Sequence, residues 1–174
     1  MELHEEKDRF IILDFDGVVT SCLETPGSYI TNRDESYGAS PSCLNRLIEL
    51  ADSTGAKIVV SSNWRRFDDT GRCSFWNSSA HGTHANPLPA LRKALGPRYL
   101  CDLPKERHIK KSEALRRWFA EKQIDPSTAE YVIFDDDESE GFGQSEFGDR
   151  FILTDYRTGV TAADCEKAKE ILRA

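Results

Sequence analysis

Short apolar runs punctuate this chain, and most stop abruptly at small or acidic residues. Arg9–Leu13 (RFIIL) is continuously apolar after its first residue, the pattern of a strand buried on both faces of a parallel sheet. Ser40-Pro41 reads as an N-cap followed by proline at the first helical position. Leu44, Leu47, Ile48 and Ala51 continue at helical spacing, and Gly55 ends the helix. Lys57–Val60 is a second strand, followed by Ser61-Ser62-Asn63. Ser112 reads as the N-cap of a helix carrying Leu115, Trp118 and Phe119. After an Asp125-Pro126 turn, Tyr131–Phe134 forms a third strand that stops at Asp135-Asp136-Asp137. Phe151–Leu153 is a fourth strand, and Thr161 caps a last helix with Ala163, Ala168, Ile171 and Leu172. Residues 64–108 show Asn, Ser, Gly and Pro clusters and one short helix near Leu88–Leu95, and read as an irregular insertion.

Strands alternating with helices predict an α/β fold, a mainly parallel sheet with helices on both faces. A chain of 174 residues suits one domain with its own core, and no repeat or low-complexity linker divides it. Hydrophobic residues make up 39% and charged residues 30%, which excludes a disordered or fibrous chain. No apolar run approaches a membrane span, and the charged MELHEEKDR start has no signal core. The cysteines at 22, 43, 73, 101 and 165 are odd in number and form no C-x-x-C, which points to reduced thiols in a cytoplasmic protein.

Charge changes the picture in one place. The chain carries −7 overall, yet residues 92–117 hold nine basic and three acidic residues. Such a segment, including Arg92, Lys93, Arg116 and Arg117, would guide a polyanion if it formed one surface, and is otherwise a solvated face.

The candidate chemistry lies where the strands stop. Asp14-Phe15-Asp16-Gly17, Ser61-Ser62-Asn63 and Asp135-Asp136-Asp137 each follow an apolar strand. Ligands of open parallel sheets bind beyond the carboxyl ends of the strands, so the three clusters should converge. Asp14 and Asp16, at i and i+2 on an extended chain, should point the same way, with Gly17 allowing a sharp turn. Carboxylates gathered at one edge repel unless a cation joins them, and an all-oxygen site suits Mg²⁺ and a phosphate-bearing substrate. A serine hydroxyl and main-chain N–H groups can hold phosphate oxygens, and a lysine at a helix start (Lys110 or Lys111) can neutralise developing charge.

D-F-D-G, S-S-N, a helix-start lysine and an acidic pair, each on its strand or helix end, resemble the four ordered motifs of the haloacid dehalogenase (HAD) superfamily. The stretches IVVSSNWR, KSEALRRWF, YVIFDDD and GVTAAD are most similar to the HAD domains associated with Swiss Army Knife RNA-repair proteins. The resemblance spans about Phe10 to Leu172 and implies a three-layer Rossmann-like HAD fold. It implies a phosphatase in which Asp14 is the nucleophile and Asp16 the general acid and base. Mg²⁺ would be held by the Asp14 carboxylate, the Asp16 main-chain carbonyl and Asp136, with Asp135 or Asp137 as a further candidate. Ser61 or Ser62, with Asn63, would bind the phosphoryl group, and Lys111 fits the helix-start position better than Lys110.

About twenty residues separate Gly17 from Ser40, which implies a minimal cap and an open site. Arg65 lies closest to the serines and is the candidate for an added phosphate contact. Trp64, Arg65, Arg66, Phe67, Phe75 and Trp76 either stack bases and bind phosphates or form the small core of the insertion. His81, His84, Cys73 and Cys101 match no zinc spacing. The expected substrate is therefore a phosphate on a nucleotide or nucleic-acid end, with a small-metabolite or mononucleotide phosphatase as the alternative. A phospho-accepting receiver-like switch or a non-catalytic phosphate-binding module is the rival of another class. Receivers place the acidic pair after the first strand, whereas D-x-D-G stands there in this chain. No protein partner is legible.

Overall fold

Continuous apolar runs become strands in this protein because both faces of the sheet are covered. In the computed structural model, the described residues are 8–21, 39–66, 86–106 and 108–173. The segment expected as a minimal cap falls mostly at 22–38, and Phe67, Phe75, Trp76, His81, His84, Cys22 and Cys73 also lie outside the described residues. The elements run β1 (Arg9–Leu13), α1 (Pro41–Thr54), β2 (Lys57–Val60), α2 (Leu88–Leu95), β3 (Tyr99–Asp102), α3 (Lys111–Lys122), β4 (Glu130–Asp135), β5 (Phe151–Leu153) and α4 (Ala162–Ile171). The five strands form one all-parallel, Rossmann-like sheet in the order β3-β2-β1-β4-β5.

Strand parity divides the core in two. Ile11, Leu13, Ile58, Val60, Val132 and Phe134 pack into a cluster under α1, α2 and α4. Phe10, Ile12, Val59, Tyr131 and Ile133 pack on the other side against Leu115, Trp118 and Phe119 of α3, with Phe142 and Phe147. Each large side chain so buried contributes about 1.5–3 kcal/mol. β1 is the centre: Leu13 pairs with Val60 on one side and Phe134 on the other. The ladder runs one residue beyond the strands. Asp14 N–H donates to the Phe134 carbonyl (3.1 Å) and Ser61 N–H to the Leu13 carbonyl (2.8 Å). Three strand ends thus stand level.

The helix boundaries follow local chemistry, with one exception. Ser40 accepts from Cys43 N–H at the start of α1, and Gly55 closes it with φ 71°. Thr161 and Asp164 form a reciprocal capping box at α4. Ser112, expected as the cap of α3, lies inside it. The helix starts at Lys111, whose N–H donates to the Glu140 carboxylate at 2.8 Å. A distant acidic side chain therefore does what the local hydroxyl was expected to do.

The stretch 64–108 also differs from the sequence reading. It contains α2 as expected, but β3 forms an edge of the sheet. β3 gives little apolar signal because it is not covered like the central strands; Leu100 is 47% exposed. Its register against β2 shifts between Ile58 and Val59.

The basic segment does not form one surface. Arg92 is on α2 and Arg116 and Arg117 are on α3, helices that cover opposite faces of the sheet. Arg92 pairs with Asp102, Arg98 with Asp52 (2.6 Å), Arg116 with Glu146 (2.5 Å), and Arg117 with Glu113 (3.1 Å) and Glu106. Among the described residues, no helix is long and apolar enough to cross a membrane, and Cys43, Cys101 and Cys165 are free thiols.

Thr161→Ala removes the hydroxyl that accepts from Asp164 N–H and should cost about 1 kcal/mol in urea unfolding. Thr161→Ser should retain most of the stability; an equal loss in both variants would show that the cap contributes little.

Candidate active site

Continuing the alternation of β1, β2 and β4 places Asp14, Ser61 and Asp135 on the α3 side of the sheet. All three are buried. α3 brings Lys111 down onto them, and its side chain is only 3% exposed. The ammonium donates to Asp14 Oδ2 at 2.6 Å and to Asp135 Oδ2 at 2.8 Å. The other Asp14 oxygen accepts from Phe15 N–H at 2.7 Å, and Asp135 Oδ1 accepts from Asp137 N–H at 3.1 Å. The two carboxylates are thereby held in fixed orientations.

Asp136 completes an acidic group. One carboxylate oxygen from each of Asp14, Asp135 and Asp136 lies within 4.8 Å of the others. The sequence had left Asp135 open as a ligand, and the fold makes it part of this group. Asp137 turns aside and accepts from Ser139 N–H. Asp16 does not project from an extended strand beside Asp14. It sits in the turn after β1, where Gly17 has φ 64° and Val19 N–H donates to the Phe15 carbonyl. Its carboxylate Oδ2 accepts from the Trp64 indole Nε1–H at 2.8 Å.

The electrostatics follow from this crowding. Burial and the Asp14 charge push Asp135 up to about 8, against the pull of Lys111. Burial and the same neighbour push Asp16 up to about 6, partly offset by the Trp64 hydrogen bond. Burial and Asp14 also raise Asp136. Burial would discharge Lys111, but Asp14 and Asp135 outweigh it and hold the ammonium above its usual range. Three carboxylates that repel one another, with oxygen donors only, fit a hard divalent cation.

The second strand end separates its two serines. Ser61 Oγ is buried and has no hydrogen-bond partner among the described residues, whereas Ser62 Oγ accepts from Trp64 N–H at 3.4 Å. Asn63 Nδ2 donates to Glu140 Oε1 at 3.0 Å. Glu140 thus joins the β2 end to the start of α3, a role with no sequence signature in its acidic loop.

Arg65, expected as an added phosphate contact, is tied to the end of β2, while its Nη2 is buried without a hydrogen-bond partner among the described residues. It is fully buried, and its guanidinium donates to the carbonyls of Ser61, Ser62 (2.9 Å) and Pro104 (3.2 Å). Burial lowers it to about 10. It staples the β2 end in place. Arg66 donates to the Ile109 carbonyl at 2.7 Å.

The sharp turn at Gly17 also makes room for Asp136. A Cβ there would lie 2.2 Å from Asp136 Oδ2. Gly17→Ala should weaken divalent-cation binding in isothermal titration calorimetry by about tenfold or more, by pushing that carboxylate aside. Undiminished binding would place the cation away from Asp136.

No curated protein matches the chain. The family model for the HAD domain in Swiss Army Knife RNA repair proteins matches residues 10–165, which take in the whole acidic group and the described strands except Arg9. With that match over most of its length, the chain belongs to the HAD domain family of Swiss Army Knife RNA repair proteins.

Proposed function

We propose that this protein is a Mg²⁺-dependent phosphomonoester hydrolase working through an aspartyl-phosphate on Asp14. The observation that carries this reading is the Lys111 ammonium bridging Asp14 and Asp135 within a group of three carboxylates. A lysine so bound fixes one Asp14 oxygen and leaves the carboxylate oriented for attack.

In the first half, an Asp14 carboxylate oxygen forms a bond to phosphorus as the bond from phosphorus to the ester oxygen breaks. Protonated Asp16 passes its proton to that departing oxygen; the raised affinity of Asp16 for a proton, to about 6, suits this task. In the second half, the Asp16 carboxylate takes a proton from water as the water oxygen bonds phosphorus. The bond from Asp14 to phosphorus breaks, freeing inorganic phosphate and restoring the Asp14 carboxylate. Ser61, with its unpartnered hydroxyl, and Asn63 bind the phosphoryl oxygens. Mg²⁺, held by the carboxylates of Asp14 and Asp136 and the main-chain carbonyl of Asp16, with Asp135 beside them, would screen the negative charge of the phosphoryl group.

For the substrate we infer a phosphate on a nucleotide or nucleic-acid end. Membership in a family described from RNA repair proteins supports this. The small-metabolite phosphatase is the second reading. It is favoured by the ion pairs that neutralise Arg92, Arg98, Arg116 and Arg117, and by the net charge of −7.

Asp14→Asn should lower hydrolysis of an aryl phosphate by about three orders of magnitude or more. EDTA should abolish turnover and Mg²⁺ restore it; a tenth of the activity surviving in purified Asp14→Asn would remove the nucleophile. Comparing 3′- and 5′-phosphorylated oligonucleotides with mononucleotides and sugar phosphates tests the substrate class. A higher kcat/KM for an oligonucleotide end is expected, and equal values would favour the small-metabolite reading.

A further inference from the structure

Trp64 is the residue nearest the chemistry that the four motifs leave unexplained. It follows Asn63 on a short 3-10 turn, so its side chain springs from the β2 end. Its indole N–H donates to Asp16 Oδ2 at 2.8 Å. Among the described residues, no other hydrogen bond reaches the Asp16 carboxylate.

A carboxylate in a turn is free to rotate unless something holds it. The indole is itself held. Trp64 N–H donates to Ser62 Oγ (3.4 Å), and the Trp64 carbonyl accepts from Asn86 Nδ2 (3.3 Å). Asn86 is buried and also accepts from Leu88 N–H at the start of α2 (3.0 Å). The ring packs, half-buried, against the core cluster that includes α2. A chain of contacts thus runs from α2 through Asn86 and Trp64 to Asp16.

We propose that Trp64 is a positioning residue for Asp16, fixing one carboxylate oxygen so that the other meets the departing ester oxygen. This rests on the reading of Asp16 as the general acid. Trp64 touches neither proton donor oxygen nor phosphorus in this role; it limits the orientations Asp16 samples. Its effect therefore depends on how much the departing oxygen needs a proton. An alkoxide leaves badly without one, whereas a dinitrophenolate leaves unaided.

Phenylalanine keeps an aromatic ring and removes the N–H. With Mg²⁺ saturating, Trp64→Phe should lower kcat/KM for an alkyl phosphate by about tenfold to a hundredfold, part of what a general acid contributes. For 2,4-dinitrophenyl phosphate, kcat/KM should stay within about twofold, because that first step needs no proton. Site-specific replacement of the indole by its benzothiophene isostere deletes the N–H while keeping the bicyclic ring, and should give the same split. It decides the matter if the phenylalanine variant does not fold. Equal losses on both substrates, or no loss on the alkyl phosphate, would overturn the positioning role. Asp16→Asn separates this from the reading beneath it. If Asp16→Asn shows the leaving-group split and the Trp64 variants do not, Trp64 is merely structural. If Asp16→Asn shows no split, Asp16 is not the general acid and the proposal fails with it.

Discussion

The ammonium of Lys111, buried between Asp14 and Asp135, is the interaction on which the site depends. An unpaired buried charge is strongly unfavourable, so each member requires the others; breaking such a pair costs about 3–5 kcal/mol. Lys111 is shared between two carboxylates, and Asp136 beside them adds a third. A bound cation would relieve what Lys111 leaves over, and a phosphoryl group would meet a fixed ammonium and a fixed carboxylate.

Other features of the fold serve to bring that ammonium into place. α3 must start at Lys111, and Glu140 secures the start by accepting its N–H. The same carboxylate holds Asn63, so the end of β4 and the loop after it supply Asp135 and Asp136 and also tie the β2 end to α3. Arg65 secures that strand end from inside by binding its carbonyls. β1 lies between β2 and β4 with in-register neighbours on both sides, which sets Asp14, Ser61 and Asp135 at one level. Trp64 then reaches across from β2 to the turn after β1. These elements meet at the carboxyl edge of the sheet, and side chains from one are oriented by side chains from another.

The apolar runs of β1, β2 and β4 were legible because a buried parallel strand must be apolar on both faces. The caps at Ser40 and Thr161 were legible because they act within three residues of themselves. β3 was not, because an edge strand with an exposed Leu100 need not be apolar throughout. The start of α3 was misplaced by two residues, with Lys110 rather than Ser112 at the cap position, because the N–H of Lys111 is satisfied by Glu140, far along the chain. Arg65 was expected near the phosphate by its closeness in sequence to the serines; that its guanidinium also donates to the carbonyls of Ser62 and Pro104 no pattern announces.

By itself the sequence determined four of the five strands, the main helices, the parallel sheet and the chemical types at the strand ends, since these depend on periodicity and on short-range steric and capping rules. Which residues share a face followed from strand parity, but only the tertiary structure chose among neighbours: Ser61 over Ser62 for the unpartnered hydroxyl, and Asp135 joining Asp136 in the acidic group. It also decided that the basic segment would be divided between opposite faces of the sheet and paired with acids. The physical reason is range. Hydrogen bonds and ion pairs act over a few ångströms in space, whereas Trp64 lies 48 residues from Asp16, Asp14 lies 97 from Lys111 and Pro104 lies 39 from Arg65 along the chain.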